Sequence, residues 1–259
     1  MLLAIDISNT GIKFGLYNGH DLGARWRIAT VRDKTADEYA MLLGELLRHA
    51  GRSYSEITSV IISCVVPPLT PVFQELARHY CKLEAIVVNH TMDVGVGLRT
   101  DNPWETGTDR IMSTLAAHRL YGGPAIVIQC GTATSFDVVS AEGDFLGGAI
   151  APGMGISAEA LARAASRLYQ VELTPPPHAI GRNTIHSMQS GIVYGHVGLV
   201  EGMVARLRVE LPGGEHAKVI AHGGLAEIIA SATPVIDVVN QFLILEGLRL
   251  AYEHLHSRE

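Results

Sequence analysis

The sequence predicts a duplicated α/β fold, and three observations carry that reading. A strand-like apolar run that ends in a polar residue and a small-residue turn occurs twice, at 2–11 and at 125–134. Each copy opens a meander of three strand-like runs and then gives way to alternating helices and strands. The chain has 259 residues, of which 47% are hydrophobic and 18% charged, enough to bury one large core or two smaller ones.

The first copy runs Leu2-Leu3-Ala4-Ile5-Asp6-Ile7, turns through Ser8-Asn9-Thr10-Gly11 and continues as Ile12–Tyr17. Two strand-like runs joined by residues that tolerate turn geometry predict a hairpin. Residues 24–30 supply a third strand. Apolar residues at helical spacing, with Gly51 just beyond, predict a helix over 36–50. The continuous apolar run 59–65 predicts a strand covered on both faces, stopped by Pro67-Pro68. A helix from Thr70 and a short strand over 84–89 follow.

Residues 93–107 read as a crossing loop and 108–121 as a helix ended by Gly122-Gly123-Pro124. The second copy, Ala125–Val139, has Gln129 where the first has Asp6, and its turn is Gly131-Thr132-Ala133-Thr134. A strand over 143–151, a helix over 153–169 and a loop around Pro175-Pro176-Pro177 come next. The helical pattern 184–211 contains Gly191, Gly195, Gly198 and Gly202 on one face. Each glycine costs a helix about 1 kcal/mol, which points to close packing on that face or to a break. A strand over 218–221, a turn at His222-Gly223-Gly224, a helix from Leu225 and a closing helix over 241–256 complete the chain.

Composition excludes several classes. The net charge is −6 and the basic residues are scattered, so no nucleic-acid footprint is present. Four of the 20 basic residues are lysines, so phosphate contacts fall mainly to amides, hydroxyls and arginines. No apolar stretch has the length of a signal peptide core or of a membrane span. Cys64, Cys81 and Cys130 form no paired motif and read as reduced thiols of a cytoplasmic protein. The 12 histidines show no metal-ligand spacing. P-loop, dinucleotide-binding and nucleophile-elbow motifs are all missing.

Several residues suit phosphate chemistry. A strand-end carboxylate followed by amides and hydroxyls can hold a metal-bound phosphate; alternatively Asp6 caps its own turn. Ser8, Asn9, Thr10, Gly11 and Lys13 of the first turn, and Gly131, Thr132, Ala133 and Thr134 of the second, offer phosphate donors. Asp109, opening a helix after Gly107-Thr108, can accept the proton of an attacking hydroxyl, or is there because the helix dipole favours an acid. Arg110 can clamp a carboxylate through a bidentate fork, or lies over the helix surface. Thr184 stands at a helix start, as a ligand contact or as an N-cap.

Seven motifs in order resemble one family, the type III pantothenate kinases. They are Asp6-Ile-Ser-Asn-Thr10, Gly107-Thr-Asp-Arg110, Gly131-Thr-Ala-Thr134, Gly147-Gly-Ala-Ile-Ala-Pro-Gly153, Gly181-Arg-Asn-Thr184, Gln189-Ser-Gly-Ile192 and Gly223-Gly-Leu-Ala226. The resemblance implies duplicated actin-like (ribonuclease H-like) domains, each a mixed sheet flanked by helices, here assigned to 1–112 and 113–259. It implies a cytoplasmic homodimer that phosphorylates pantothenate with ATP in the first step of coenzyme A biosynthesis. It implies Mg²⁺ at Asp6 and a monovalent cation, K⁺ or NH₄⁺, at the position of Gln129. Asp109 becomes the catalytic base. Gly107, Thr108, Arg110, Thr184 and Thr100 become substrate contacts, and Gly223 joins the nucleotide site.

Four positions depart from the family pattern. Ser8 replaces a glycine, which the turn accepts only without positive φ. Gln129 replaces an aspartate associated with the cation, removing its charge. His222 stands for a threonine before Gly223, and Thr100 for a pocket tyrosine. These departures keep two alternatives open: a kinase of another small hydroxyl substrate, or a weak or inactive relative with an accessory role.

Overall fold

The computed structural model describes residues 1–257, which form two mixed five-stranded sheets flanked by helices. Contacts group the chain into two units. One holds Met1–Val96, Asp101–Ala116 and the C-terminal stretch from Ile244; the other holds Gly97–Thr100 and Ala117–Leu243. The sequence reading places a single boundary after residue 112, whereas the contacts pass from one unit to the other within the helix 108–121 and again near residue 243. The last two positions of the expected second domain, Arg258 and Glu259, lie outside the described residues.

The first unit contains β1 (Leu2–Ile7), β2 (Gly11–Asn18), β3 (Asp21–Ala29), α1 (Ala36–His49), β4 (Ser59–Cys64), α2 (Leu69–Leu76), β5 (Ile86–Val87) and the opening of α3 (Thr108–Tyr121). Its sheet runs β3-β2-β1-β4-β5, antiparallel across the meander and parallel from β1 to β4 to β5. Strand alternation sorts the residues of β1. Leu3, Ile5 and Ile7 enter a core with Phe14, Tyr39, Leu43 and Phe73, the last four residues contributed by β2, α1 and α2. Ala4 and Asp6 take the opposite face. Thr35 and Glu38 form a reciprocal capping box that fixes the start of α1.

The second unit contains β6 (Ala125–Cys130), β7 (Ala133–Val139), β8 (Phe145–Pro152), α4 (Met154–Ala164), α5 (Thr184–Gln189), α6 (Gly195–Glu210), β9 (Lys218–His222), α7 (Ala226–Ala230) and β10 (Val238–Val239). Its sheet order, β10-β9-β6-β7-β8, repeats the first element for element, with the same parallel and antiparallel pairs. Ile126, Ile128, Cys130, Phe136 and Val138 pack with Val193, Val197, Val200 and Val204. The chain closes with α8 (Leu243–His256).

Three elements differ from the sequence expectation. The strand over 84–89 shrinks to two residues, β5. The helix over 153–169 stops at Ala164, and the loop beyond is tied down by Gln189, whose amide donates to the Glu172 carbonyl and the Thr174 hydroxyl. The pattern 184–211 is interrupted by a π-turn at Ser190–Tyr194 between α5 and α6. Of its glycines, Gly191, Gly195 and Gly198 are exposed, and among the described residues nothing beyond their chain neighbours and the helix's own backbone lies within 4 Å of where a Cβ would stand. The break is present, and among the described residues no side chain packs on those three.

Helix α8 lies against the unit's own sheet and against α3. Tyr17 donates to Glu246 (3.2 Å), Ser59 and Tyr252 share a hydrogen bond (2.7 Å), and Leu245 sits over Gly15. At Gly247 a Cβ would fall on the Met112 carbonyl oxygen. Gly247→Ala should therefore destabilise the first unit by about 1–3 kcal/mol, the range of overpacked core sites. Gly19→Ala at an exposed tip is the wrong control because its φ is +60°; Gly224→Ala, with nothing within 4 Å, is the right one. Urea melts of both variants check the difference.

Candidate active site

In the first unit the site is assembled by strand register. Asp6 pairs with Lys13 on β2 and with Ser63 on β4, so these three side chains share the face opposite the apolar core. Asp6 and Ser63 are buried, at 1% and 0% exposure. Ser63 continues the row through a 2.9 Å hydrogen bond with the hydroxyl of Thr108, the first residue of α3. Asp109 follows, accepting the Arg110 N–H at 2.9 Å while that N–H also reaches the Gly107 carbonyl at 3.1 Å. A Cβ at Gly107 would crowd the Asp109 carboxylate, which would have to turn from its present position.

Burial pushes the Asp6 carboxyl up to about 7; Lys13 opposes that shift, the charge of Asp109 adds to it, and the Ser8 hydroxyl opposes it. Burial likewise lowers the Lys13 ammonium, against the pull of Asp6 and with a push from Arg27. A buried carboxyl held this high even with Lys13 beside it is poised for a further cation or its proton.

The β1–β2 turn closes with the Ser8 N–H donating to the Gly11 carbonyl at 3.1 Å. Ser8 donates to both Asp6 oxygens at 3.4 Å, and Thr30 donates to the Ser8 carbonyl at 2.7 Å. Among the described residues other than glycine, only Lys82 has positive φ, so Ser8 meets the condition for replacing a glycine. Asn9 and Thr10 are exposed, while Gly11 is buried under the Arg27 side chain. Asp6 thus accepts from its own turn and faces Thr108 and Asp109 as well.

The second unit holds a parallel arrangement. Gln129 pairs with Ser135 on β7 and His222 on β9. The turn that follows is braced from within: the Gly131 N–H donates to Ala133, the Gly153 N–H to Thr132, both at 3.0 Å, and the Leu225 N–H to Cys130 at 3.4 Å. Gly153 is demanded by close approach, since a Cβ would strike the Gly131 and Thr132 carbonyls. Gly223, at φ +103°, lies against the Cys130 backbone. Thr132 and Ala133 are exposed, but Thr134 is 1% exposed and bonds His196 Nε2 at 2.8 Å. The Thr134 hydroxyl therefore turns inward, contrary to its expected place among the phosphate donors, because it shares the core face of its register partner Cys130.

Thr184 begins α5, but the N-cap is Asn183, which accepts from His186 N–H at 2.8 Å, so capping does not account for Thr184. Thr184, Asn183, Arg182, Ser187 and His196 help line a cavity of about 1050 Å³ with apolar walls from Leu161, Met188 and Ile192. Thr100 belongs to the second unit, beside Gly147. Gly107, Thr108, Asp109 and Arg110 belong to the first. Sequence reasoning missed Ser63 and His196. The signal for Ser63 was a serine directly after the apolar run Val60-Ile61-Ile62 of β4; His196 had none beyond its place in a glycine-spaced helix.

Comparison with known proteins bears on what this geometry serves. The family model described as type III pantothenate kinase matches residues 2–206. The type III pantothenate kinase of Roseiflexus sp. (strain RS-1) is 54% identical over 253 residues, covering 98% of each chain. That of Thermomicrobium roseum is 50% identical over 256 residues, covering 99% of this chain and 98% of the other. Among solved structures, component A of the Acidaminococcus fermentans (R)-2-hydroxyglutaryl-CoA dehydratase matches with TM-score 0.59 at 12% identity, covering 100% and 99% of the two chains. The ROK hexokinase of Thermus thermophilus matches with TM-score 0.51 at 15% identity, covering 98% and 99%. These two likenesses establish the actin-like fold. With a family model over 2–206 and relatives at half identity over nearly the whole length, the chain belongs to the type III pantothenate kinase family.

Proposed function

We infer that the protein transfers the γ-phosphoryl group of ATP to the primary hydroxyl of pantothenate, the first step of coenzyme A biosynthesis. The observation that carries this reading is the row from buried Asp6 and Ser63 through the half-buried Thr108 to Asp109, two carboxylates close enough for one charge to perturb the other. A coupled ADP-release assay with and without pantothenate tests it. A purely accessory role, or another hydroxyl substrate, is not favoured against relatives of 44–54% identity that carry this activity in their names.

Asp6 fits a divalent cation: it is a buried carboxylate whose desolvation Lys13 and Ser8 offset only in part, and one or two carboxylates plus substrate phosphates is the usual Mg²⁺ environment. When bound there, the ion supplies charge neutralisation on the phosphate oxygens. In the first unit Asp109 accepts the proton as the substrate oxygen attacks, Arg110 grips the pantothenate carboxylate, and Gly107 and Thr108 contact the substrate; Thr100 and Thr184 are the substrate contacts that the second unit offers. In the first unit Ser8, Asn9, Thr10, Gly11 and Lys13 are the phosphate donors; in the second, Gly131, Thr132 and Ala133 are, with Gly223 bracing their turn. The enzyme works as a cytoplasmic homodimer, a reading supported by the exposed glycine face of Gly191, Gly195 and Gly198.

The monovalent cation fits less well. Gln129, Ser135 and His222 form a row without a carboxylate, so an alkali ion there would gain no full negative charge from it. Wild-type activity should show little K⁺ activation, and Gln129→Asp should introduce it; strong saturable activation of the wild type that Gln129→Asp leaves unchanged would place the cation elsewhere.

Asp109→Asn should lower kcat by at least 10²-fold, the usual range for a lost general base, with the fold intact by circular dichroism. Near-normal turnover at saturating substrate refutes the assignment.

Asp6 also sets a pH dependence in metal-free protein. Its folded-state value is about 7 against an ordinary 3.8, so the folded chain retains a proton that the unfolded chain releases. The resulting stability is present below about pH 4 and is lost as pH rises to 7. Asp6→Asn should therefore raise the melting temperature at pH 8 in EDTA, not at pH 4, while eliminating turnover. Thermal melts at both pH values check the sign.

A further inference from the structure

His196 occupies a helix position flanked by Val193, Val197 and Val200, where an aliphatic side chain would complete the core. It is 7% exposed, and burial lowers its pKa, so the ring is a neutral imidazole whose polar atoms need partners. Its Nε2 meets the Thr134 hydroxyl at 2.8 Å, a bond between two buried groups 62 residues apart in sequence. Thr134 is the last residue of the turn Gly131–Thr134, whose other anchors are main-chain hydrogen bonds from Gly131, Gly153 and Leu225. The inward hydroxyl fixes the end of the turn, and with it the exposed backbone of Thr132 and Ala133.

We propose that His196 is a positioning residue for the phosphate-holding turn: through Thr134 it holds the Gly131–Ala133 backbone in the geometry that receives the nucleotide, without touching the nucleotide. The proposal rests on the reading of that turn as part of the ATP site. It concerns affinity for the nucleotide and leaves proton transfer at Asp109 alone.

The experiment measures ATP affinity by calorimetry, and KM for each substrate with kcat, in wild type, His196→Phe, His196→Gln, Thr134→Val and the Thr134→Val/His196→Phe double variant. His196→Phe keeps the bulk and removes the bond; it should weaken ATP binding about five- to tenfold, the equivalent of one buried hydrogen bond. His196 also lines the cavity beside Thr184, so KM for pantothenate is read in Thr134→Val, where it should stay within about twofold. His196→Gln, which can still bond Thr134, should recover most of the affinity. In the double variant the loss should equal that of either single variant. An unchanged ATP affinity in His196→Phe, or additive losses in the double variant, overturns the proposal. If His196→Phe fails to fold, Thr134→Val compared with wild type and His196→Gln decides: normal ATP affinity in Thr134→Val overturns it. Wild-type protein that binds no ATP overturns the kinase reading and the proposal together, whereas wild-type binding with an indifferent His196→Phe overturns the proposal alone.

Discussion

The register of β1 is the constraint on which the first unit's site depends. β1 is the central strand of its sheet, and its pairing with β2 and β4 sets Asp6 beside Lys13 and Ser63. Because side chains alternate, a slip of one residue would send Asp6 into the apolar core and bring Ile5 or Ile7 to the face of α3. The register is held by the core side chains Leu3, Ile5 and Ile7, all fully buried. Apolar packing on one face thus dictates where the charge goes on the other. That charge is stored at a cost, visible in the raised pKa of Asp6, which a ligand of opposite sign would relieve.

The second unit uses the same scaffold for a different balance. Asp6 is the fifth residue of β1 and Gln129 the fifth of β6, each flanked by the antiparallel strand on one side and the parallel strand on the other. The row Lys13–Asp6–Ser63 is matched by Ser135–Gln129–His222. Duplication preserved the backbone and let the chemistry diverge. The first row carries a carboxylate and an ammonium, and the second carries an amide, a hydroxyl and an imidazole.

The architecture was legible because its signals are strong and local: two hairpins with small-residue turns, apolar runs of strand length, and helices with clear periodicity. The motifs singled out Asp6, Asp109 and both turns as candidates. What escaped the sequence was set by tertiary contact. Ser63 matters only because register puts it beside Asp6 and beneath Thr108. Thr134 reads as a phosphate donor until its parity with Cys130 turns it inward. The close approach at Gly247 depends on α8 returning to α3, and nothing in the residues near Gly247 announces it. The π-turn at Ser190–Tyr194 is equally silent, since a single widened turn leaves the composition of a helix unchanged.

That π-turn has a geometric consequence. Thr184 and His196 are 12 positions apart, and in an uninterrupted α-helix of about 3.6 residues per turn they would point about 120° away from each other. One widened turn absorbs a residue, so the angular count runs as if about 11 separated them, which brings the two directions to within about 20°. Both side chains line the same cavity, as that count requires. The extra residue acts as a phase shifter: it lets α5 begin where Thr184 is needed while α6 still delivers His196 to Thr134, two demands that one regular helix could not meet together.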